Sequence, residues 1–213
     1  AILLLYATEI KEGAEEKTEK QLGVAAQFAN ALRLLGNPAV LLCFLAIVCH
    51  VGMDVGINIT APKVLMERLG ITLETAGFAT SLYFIARTAG CLAGGFVMVR
   101  MKEWTFLLAS IVLMLVALLM LFLGAEQWVL YASIVLLGLA NSNPFSIIMA
   151  RALQAVPDKK NEASGLMIMG LFGGTVFPLL MGAASDSFGQ TGAIAVLALG
   201  AFYLLFFWRM NKA

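Results

Sequence analysis

Apolar positions along this chain run on without alternating with polar ones. Runs of about twenty such residues recur, which is the length a helix needs to cross ~30 Å of hydrocarbon at 1.5 Å per residue. Continuous runs of this kind predict helices rather than the period-two strands of a barrel. The predicted spans cover 38–61, 74–99, 104–123, 127–150, 163–184 and 191–208. Ahead of them lies the charged stretch "TEIKEGAEEKTEKQ", and then "LGVAAQFANALRLL". In the latter, Val24, Phe28, Ala31 and Leu35 recur at helical spacing, so the segment predicts an amphipathic helix along the membrane surface. The opening "AILLLYA" reads as the end of a preceding transmembrane helix. The expected organisation is therefore a helix tail over 1–7, a cytoplasmic linker with an amphipathic segment over 8–37, and a six-helix bundle over 38–210. The chain is read as a piece of a longer one.

The spans differ in kind, and they do so in order. The first and fourth are interrupted by polar residues. The second is rich in glycine (Gly90, Gly94, Gly95), as is the fifth (Gly165, Gly170, Gly173, Gly174, Gly182). Small residues four apart let helix backbones approach closely. The third and sixth are apolar all round and suit a lipid-facing position. The pattern polar, glycine-rich, greasy thus occurs twice, with starts at 38 and 127, 74 and 163, 104 and 191, offset by 89, 89 and 87. Three helices per unit is an odd number, so the second unit must be inverted across the membrane. The expected fold is all-α, six transmembrane helices as two inverted three-helix repeats.

Composition agrees: 61% of residues are hydrophobic, 13% are charged and the mean hydropathy is +0.92, whereas soluble domains are nearer half apolar and a quarter charged. The net charge of +1 makes no case for nucleic acid. The distribution of charge says more. Lys11, Lys17, Lys20, Arg33, Arg100, Lys102, Arg151, Lys159, Lys160, Arg209 and Lys212 fall on one side of the predicted bundle, against Lys63 and Arg68 on the other. The positive-inside rule then makes both ends cytoplasmic. Cys43, Cys49 and Cys91 lie in apolar runs and read as small hydrophobes.

Against this background a few polar residues stand out. His50, Asp54 and Asn58 are four apart and share one face of the first helix. Arg87 is about thirteen residues into the second span and Asn141 about fourteen into the fourth, each ~20 Å deep. "GLANSNPFSIIM" places Asn141, Ser142, Asn143 and Pro144 in succession there. Irregular backbone at that depth is tolerated only inside protein or beside a water-filled cavity, and interrupted helices at matching places in two repeats point to a substrate site. The offset of 89 pairs Asp54 with Asn143. His50, Asp54, Asn58, Asn141 and Asn143 are the candidate substrate-binding residues. Asn both donates and accepts, which suits a neutral, hydroxyl-rich ligand. Asp54 and Arg87 are candidates for a charge pair or gate. Blander readings stand beside these: His50 as a helix–helix contact, Asp54 and Arg87 as mutual neutralisation, the asparagines as a kink satisfied by neighbours. His50 is the one histidine and no cysteine pair accompanies it, so neither a metal nor another cofactor is expected.

Four stretches resemble the C-terminal half of the fucose–galactose–glucose:proton symporter family, within the major facilitator superfamily. "VGMDVGIN" (51–58) is similar to the family's glycine–acid–valine stretch in the seventh helix, and "GITLETAGFATSLYFIARTAG" (70–90) to its loop and eighth helix. "GLANSNPFSIIMARAL" (138–153) resembles the tenth helix, and "SGLMIMGLFGGTVFPLLMGAASDSFG" (164–189) the eleventh. Two positions depart from the family pattern: Cys91 stands where a basic residue is usual, with Arg87 one turn earlier, and Met181 where glutamine is common.

The resemblance implies half of a twelve-helix fold, in a bacterial inner membrane. It implies a monosaccharide as substrate, a proton as coupling ion, and an N-terminal six-helix half that carries the main coupling acids. The expected function is thus proton-coupled sugar transport by alternating access, with the glycine-rich second and fifth helices as moving gates. Two alternatives are a self-contained six-helix homodimer and a non-transporting membrane sensor. An enzyme using His50 and Asp54 as acid–base partners lacks a nucleophile or a second titratable pair.

Overall fold

The computed structural model describes residues 24–211. The expected helix tail at 1–7 and the linker as far as residue 23, with Lys11, Lys17 and Lys20, lie outside the described residues. Within them every regular element is helical. The amphipathic segment forms α1, Val24–Arg33. It lays buried Ala31 toward the bundle and leaves Phe28 exposed.

The first long helix, α2, is Pro38–Leu69. Asn37 caps it, its side chain accepting from the Ala39 N–H at 3.0 Å, and Pro38 stands where a missing N–H costs nothing. The helix ends at Gly70, whose φ of 64° is the left-handed conformation of a C-terminal stop. It thus runs eight residues beyond the expected end at 61. Pro62 removes the helical partner of the Asn58 carbonyl, and Thr80 Oγ1 donates to that oxygen instead, at 3.5 Å. Two charged residues then fasten the extension. Arg68 donates to the carbonyls of Leu121, Gly124 and Phe122 at 2.7, 2.6 and 2.9 Å, capping the end of a second helix. Glu67 accepts from the Gln190 N–H at 3.3 Å.

After the short α3, Leu73–Ala76, come α4, Phe78–Met98, and α5, Glu103–Leu123. The next expected span is broken into α6, Gln127–Ala140, and α7, Pro144–Ala155, with Asn141, Ser142 and Asn143 between them. Then follow α8, Lys160–Met169, a 3-10 turn at Gly170–Phe172, and α9, Gly173–Asn211. α9 is two helices meeting at Gly189, where φ is 62° and ψ −163°. Its second arm folds back along its first: Gly192 faces the Ala184 carbonyl, and Gly200 faces Phe177.

Five helical segments among the described residues are long and apolar enough to cross a bilayer: Pro38–Leu69, Leu73–Met98, Glu103–Leu123, Gln127–Ala155 and Pro157–Asn211. The expected fifth and sixth spans share the last, which is 55 residues long.

The packing pairs α2 with α9 and α4 with α6, and α5 touches both α6 and α9. Glycines make the closest of these contacts possible. A β-carbon at Gly173 would run into the Val48 carbonyl, and one at Gly138 would lie 2.5 Å from the Tyr83 carbonyl. Gly95, Gly165 and Gly182 face open space and mediate no such approach. α5 buries a stripe of Leu107, Ile111, Met114, Leu118 and Leu121 while Val112, Val116 and Leu119 stay exposed. The least covered helix is not this greasy one. The segment carrying α4 is 22% buried over its most apolar window, against 56% for α2.

Candidate functional site

The backbone break between α6 and α7 turns its polar residues onto α2 and α4. Proline opens α7 at a position that needs no intrahelical donor. The Asn141 N–H still bonds the Leu137 carbonyl, at 2.9 Å, so its side chain leaves from the last turn of α6. It reaches Asp54: Asn141 Nδ2 donates to Asp54 Oδ1 at 3.0 Å and to the Tyr83 hydroxyl at 2.8 Å. The Tyr83 hydroxyl itself donates to Asp54 Oδ1 at 2.5 Å. Arg87 Nη1 donates to the other oxygen, Oδ2, at 2.5 Å. One carboxylate thus gathers three donors from α4 and α6. The pair is partly open, with Asp54 and Arg87 side chains 16% and 27% exposed, whereas Asn141 is wholly buried.

The other expected site residues take different roles in the packing. Asn58 turns back along its own helix, Nδ2 donating to the Asp54 carbonyl at 2.8 Å. Asn143 points to α4 instead of Asp54: Nδ2 donates to the Gly90 carbonyl at 2.9 Å and to Ser142 Oγ at 2.6 Å. The repeat offset pairs Asp54 with Asn143, yet Asn141 is the residue that meets it. The Asn143 side chain packs where a β-carbon on Gly94 would otherwise stand, so the glycines of α4 make room for the break. His50 is buried one turn from Asp54 with Nδ1 unpartnered, its ring 6.3 Å from that of Phe145. No hydrogen bond joins it to Asp54 among those the described residues make.

Three contributors are not among the expected site residues. Tyr83 precedes Arg87 by four residues and so shares its helix face, a signal present in the sequence once Arg87 is marked. Ser142 holds the break closed, Oγ donating to the Leu139 carbonyl at 2.7 Å. Cys91 donates from Sγ to the Ser142 carbonyl at 3.2 Å.

Three polar atoms of this region are buried without a partner: His50 Nδ1, Asn58 Oδ1 and Asn141 Oδ1. A broad apolar groove between α5 and the second arm of α9, lined by Leu119, Phe122, Ile194, Leu199 and Phe202 among others, shares no residue with this cluster. Among the described residues no three His, Cys, Asp or Glu side chains gather as metal ligands.

The family model described as Major Facilitator Superfamily matches residues 2–213. Comparison with curated proteins gives no match.

Proposed function

Because this chain belongs to the major facilitator superfamily, it is an integral membrane transporter of a small molecule, and we propose that it moves a monosaccharide, a hexose or deoxyhexose, together with a proton. The observation that carries this reading is the junction at Asp54. A carboxylate, an arginine, a tyrosine and an asparagine meet where a membrane helix is broken, and two amide oxygens beside them lack partners. A neutral polyol can supply what those oxygens lack. The paired charges of Asp54 and Arg87 leave no net charge that would favour an ionic substrate.

The helices are read as six spans in two inverted repeats, α9 supplying parts of the last two, with both ends cytoplasmic. The charge distribution supports the orientation, and the packing supports the repeat. Exchanging the two units turns the contact of the first span with the fifth into that of the fourth with the second, and α2 with α9 and α4 with α6 are both close glycine contacts. The exposed apolar faces of α4 (Ile85, Leu92) and of the first arm of α9 (Leu179, Leu180) suit a second six-helix half across a central cavity. Sugar would bind between the halves and be released by their alternate opening. His50, Asp54, Asn58, Asn141 and Asn143 are this half's share of the site, with α4 and the fifth span as the moving elements. On this reading the membrane is a bacterial inner membrane.

The test is uptake of radiolabelled hexoses and deoxyhexoses into proteoliposomes containing the full-length protein. Saturable uptake that an inward proton gradient stimulates is expected. Uptake indifferent to the gradient and to protonophore removes the coupling. Absence of uptake for every monosaccharide removes the substrate class.

A further inference from the structure

The asparagines of the site all turn the same end of the amide toward protein. Asn58 Nδ2 meets the Asp54 carbonyl, Asn143 Nδ2 the Gly90 carbonyl, and Asn141 Nδ2 both Asp54 Oδ1 and the Tyr83 hydroxyl. Carbonyl and carboxylate oxygens only accept. An amide oxygen turned toward them would set two acceptors in contact, so the partners decide which way each amide lies. At Asn141 the decision is doubled. The Tyr83 proton goes to Asp54 Oδ1 at 2.5 Å, which leaves the phenol oxygen only lone pairs for Asn141. Arg87 occupies Oδ2, so that oxygen too is engaged as an acceptor.

What remains of these amides is oxygen. Asn58 Oδ1 and Asn141 Oδ1 are buried and unpartnered, and both amides are anchored to Asp54. Buried polar atoms are nearly always hydrogen-bonded, so these two await a donor.

We infer that Tyr83 and Asp54 lock the Asn141 amide with its NH2 inward, so that the site, buried here, presents acceptors when the helices part and selects a ligand by the hydroxyl protons it donates. Tyr83 is then a positioning residue for substrate selectivity. An ammonium would also donate, but the neutralised Asp54–Arg87 pair gives a cation no charge to meet. The inference rests on the monosaccharide reading above, and its test has one arm that needs no ligand.

In that arm, the full-length protein in detergent is melted as wild type, as Asn141→Asp and as the transposed pair Asp54→Asn/Asn141→Asp. With the NH2 facing Asp54, Asn141→Asp sets two carboxylates together and lowers the melting temperature by roughly 3–8 °C. The transposition removes the repulsion but takes Asp54 Oδ2 from Arg87, so it restores part of the loss and melts above Asn141→Asp. An Asn141→Asp protein that melts like wild type overturns the orientation.

The second arm measures competition by deoxy and deoxyfluoro sugars. Fluorine cannot donate. Wherever removing a hydroxyl weakens binding by about tenfold, the fluoro analogue should be weakened as much. In Tyr83→Phe the amide keeps its bond to Asp54 Oδ1 but loses the second of its two restraints, and the parent-to-fluoro ratio should narrow in part. Fluoro analogues that bind like the parent overturn the inference. Equal weakening of parent and fluoro analogues by Tyr83→Phe removes the positioning role. A folded wild type that binds no monosaccharide overturns the substrate reading, and the melting arm still decides the amide.

Discussion

Asp54 on α2 and Arg87 on α4 form an ion pair, Oδ2 to Nη1 at 2.5 Å, between two helices that are consecutive long spans of the chain. A lone charge at membrane depth is costly even on lenient scales, ~2.5–3.5 kcal/mol. Removing one partner leaves the other unpaired, which is worse than removing both. Asp54→Asn and Arg87→Gln should each lower stability by ~1–3 kcal/mol, discounted for the partial exposure of the pair. The double variant should recover part of that loss. A double-mutant cycle on thermal unfolding in detergent reads the coupling. Strictly additive losses would mean that the two side chains do not support each other.

Arg68 should matter as a helix cap rather than as a surface charge. Its guanidinium satisfies three carbonyls at the end of α5 that have no partner within the helix. Arg68→Met is expected to cost ~1–2 kcal/mol and to speed hydrogen exchange over residues 121–127. Arg68→Lys should restore only part, because an ammonium lacks the planar fork. Unchanged exchange in Arg68→Met would rule out the capping role.

The glycines separate into two groups that substitution should distinguish. Gly138→Ala places a methyl 2.5 Å from the Tyr83 carbonyl and should destabilise by ~1–3 kcal/mol through overpacking. It should also loosen Tyr83 from Asp54. Gly165 lies inside α8 with nothing within 4 Å of the added carbon, so Gly165→Ala should stabilise by ~0.5–1 kcal/mol through helix propensity. Thermal melting of the two variants checks both signs.

Much of this is legible in the sequence because membrane segments punish exceptions. A charge or an Asn-Ser-Asn-Pro run inside an apolar stretch needs a reason, and so Asp54, Arg87 and Asn141 stand out by residue type and position alone. The length of α2 is not legible in the same way. Pro62, Lys63, Glu67 and Arg68 read as the end of a span, and only tertiary partners at Thr80, Gln190 and the end of α5 show why the helix continues. Tyr83 is hidden because a tyrosine among apolar residues looks like core, and nothing local reveals what its hydroxyl meets. The repeat offset favours Asn143 over Asn141 because an offset assumes continuous helix, and the break changes the direction of each side chain around it.

Binding of a monosaccharide at the Asn141–Asp54 junction is tested most directly by counterflow. Proteoliposomes holding the full-length protein are loaded with unlabelled hexose and diluted into tracer, so that no driving ion is needed. Wild type should accumulate the label transiently. Asn141→Ala, reconstituted in equal amount, should lose ~1–3 kcal/mol of binding, about five- to 150-fold in affinity, as a buried hydrogen-bond partner disappears. Its counterflow at low hexose should fall accordingly. Counterflow by Asn141→Ala that half-saturates at the wild-type concentration, or no counterflow by wild type with any hexose or deoxyhexose, would contradict sugar binding at this junction.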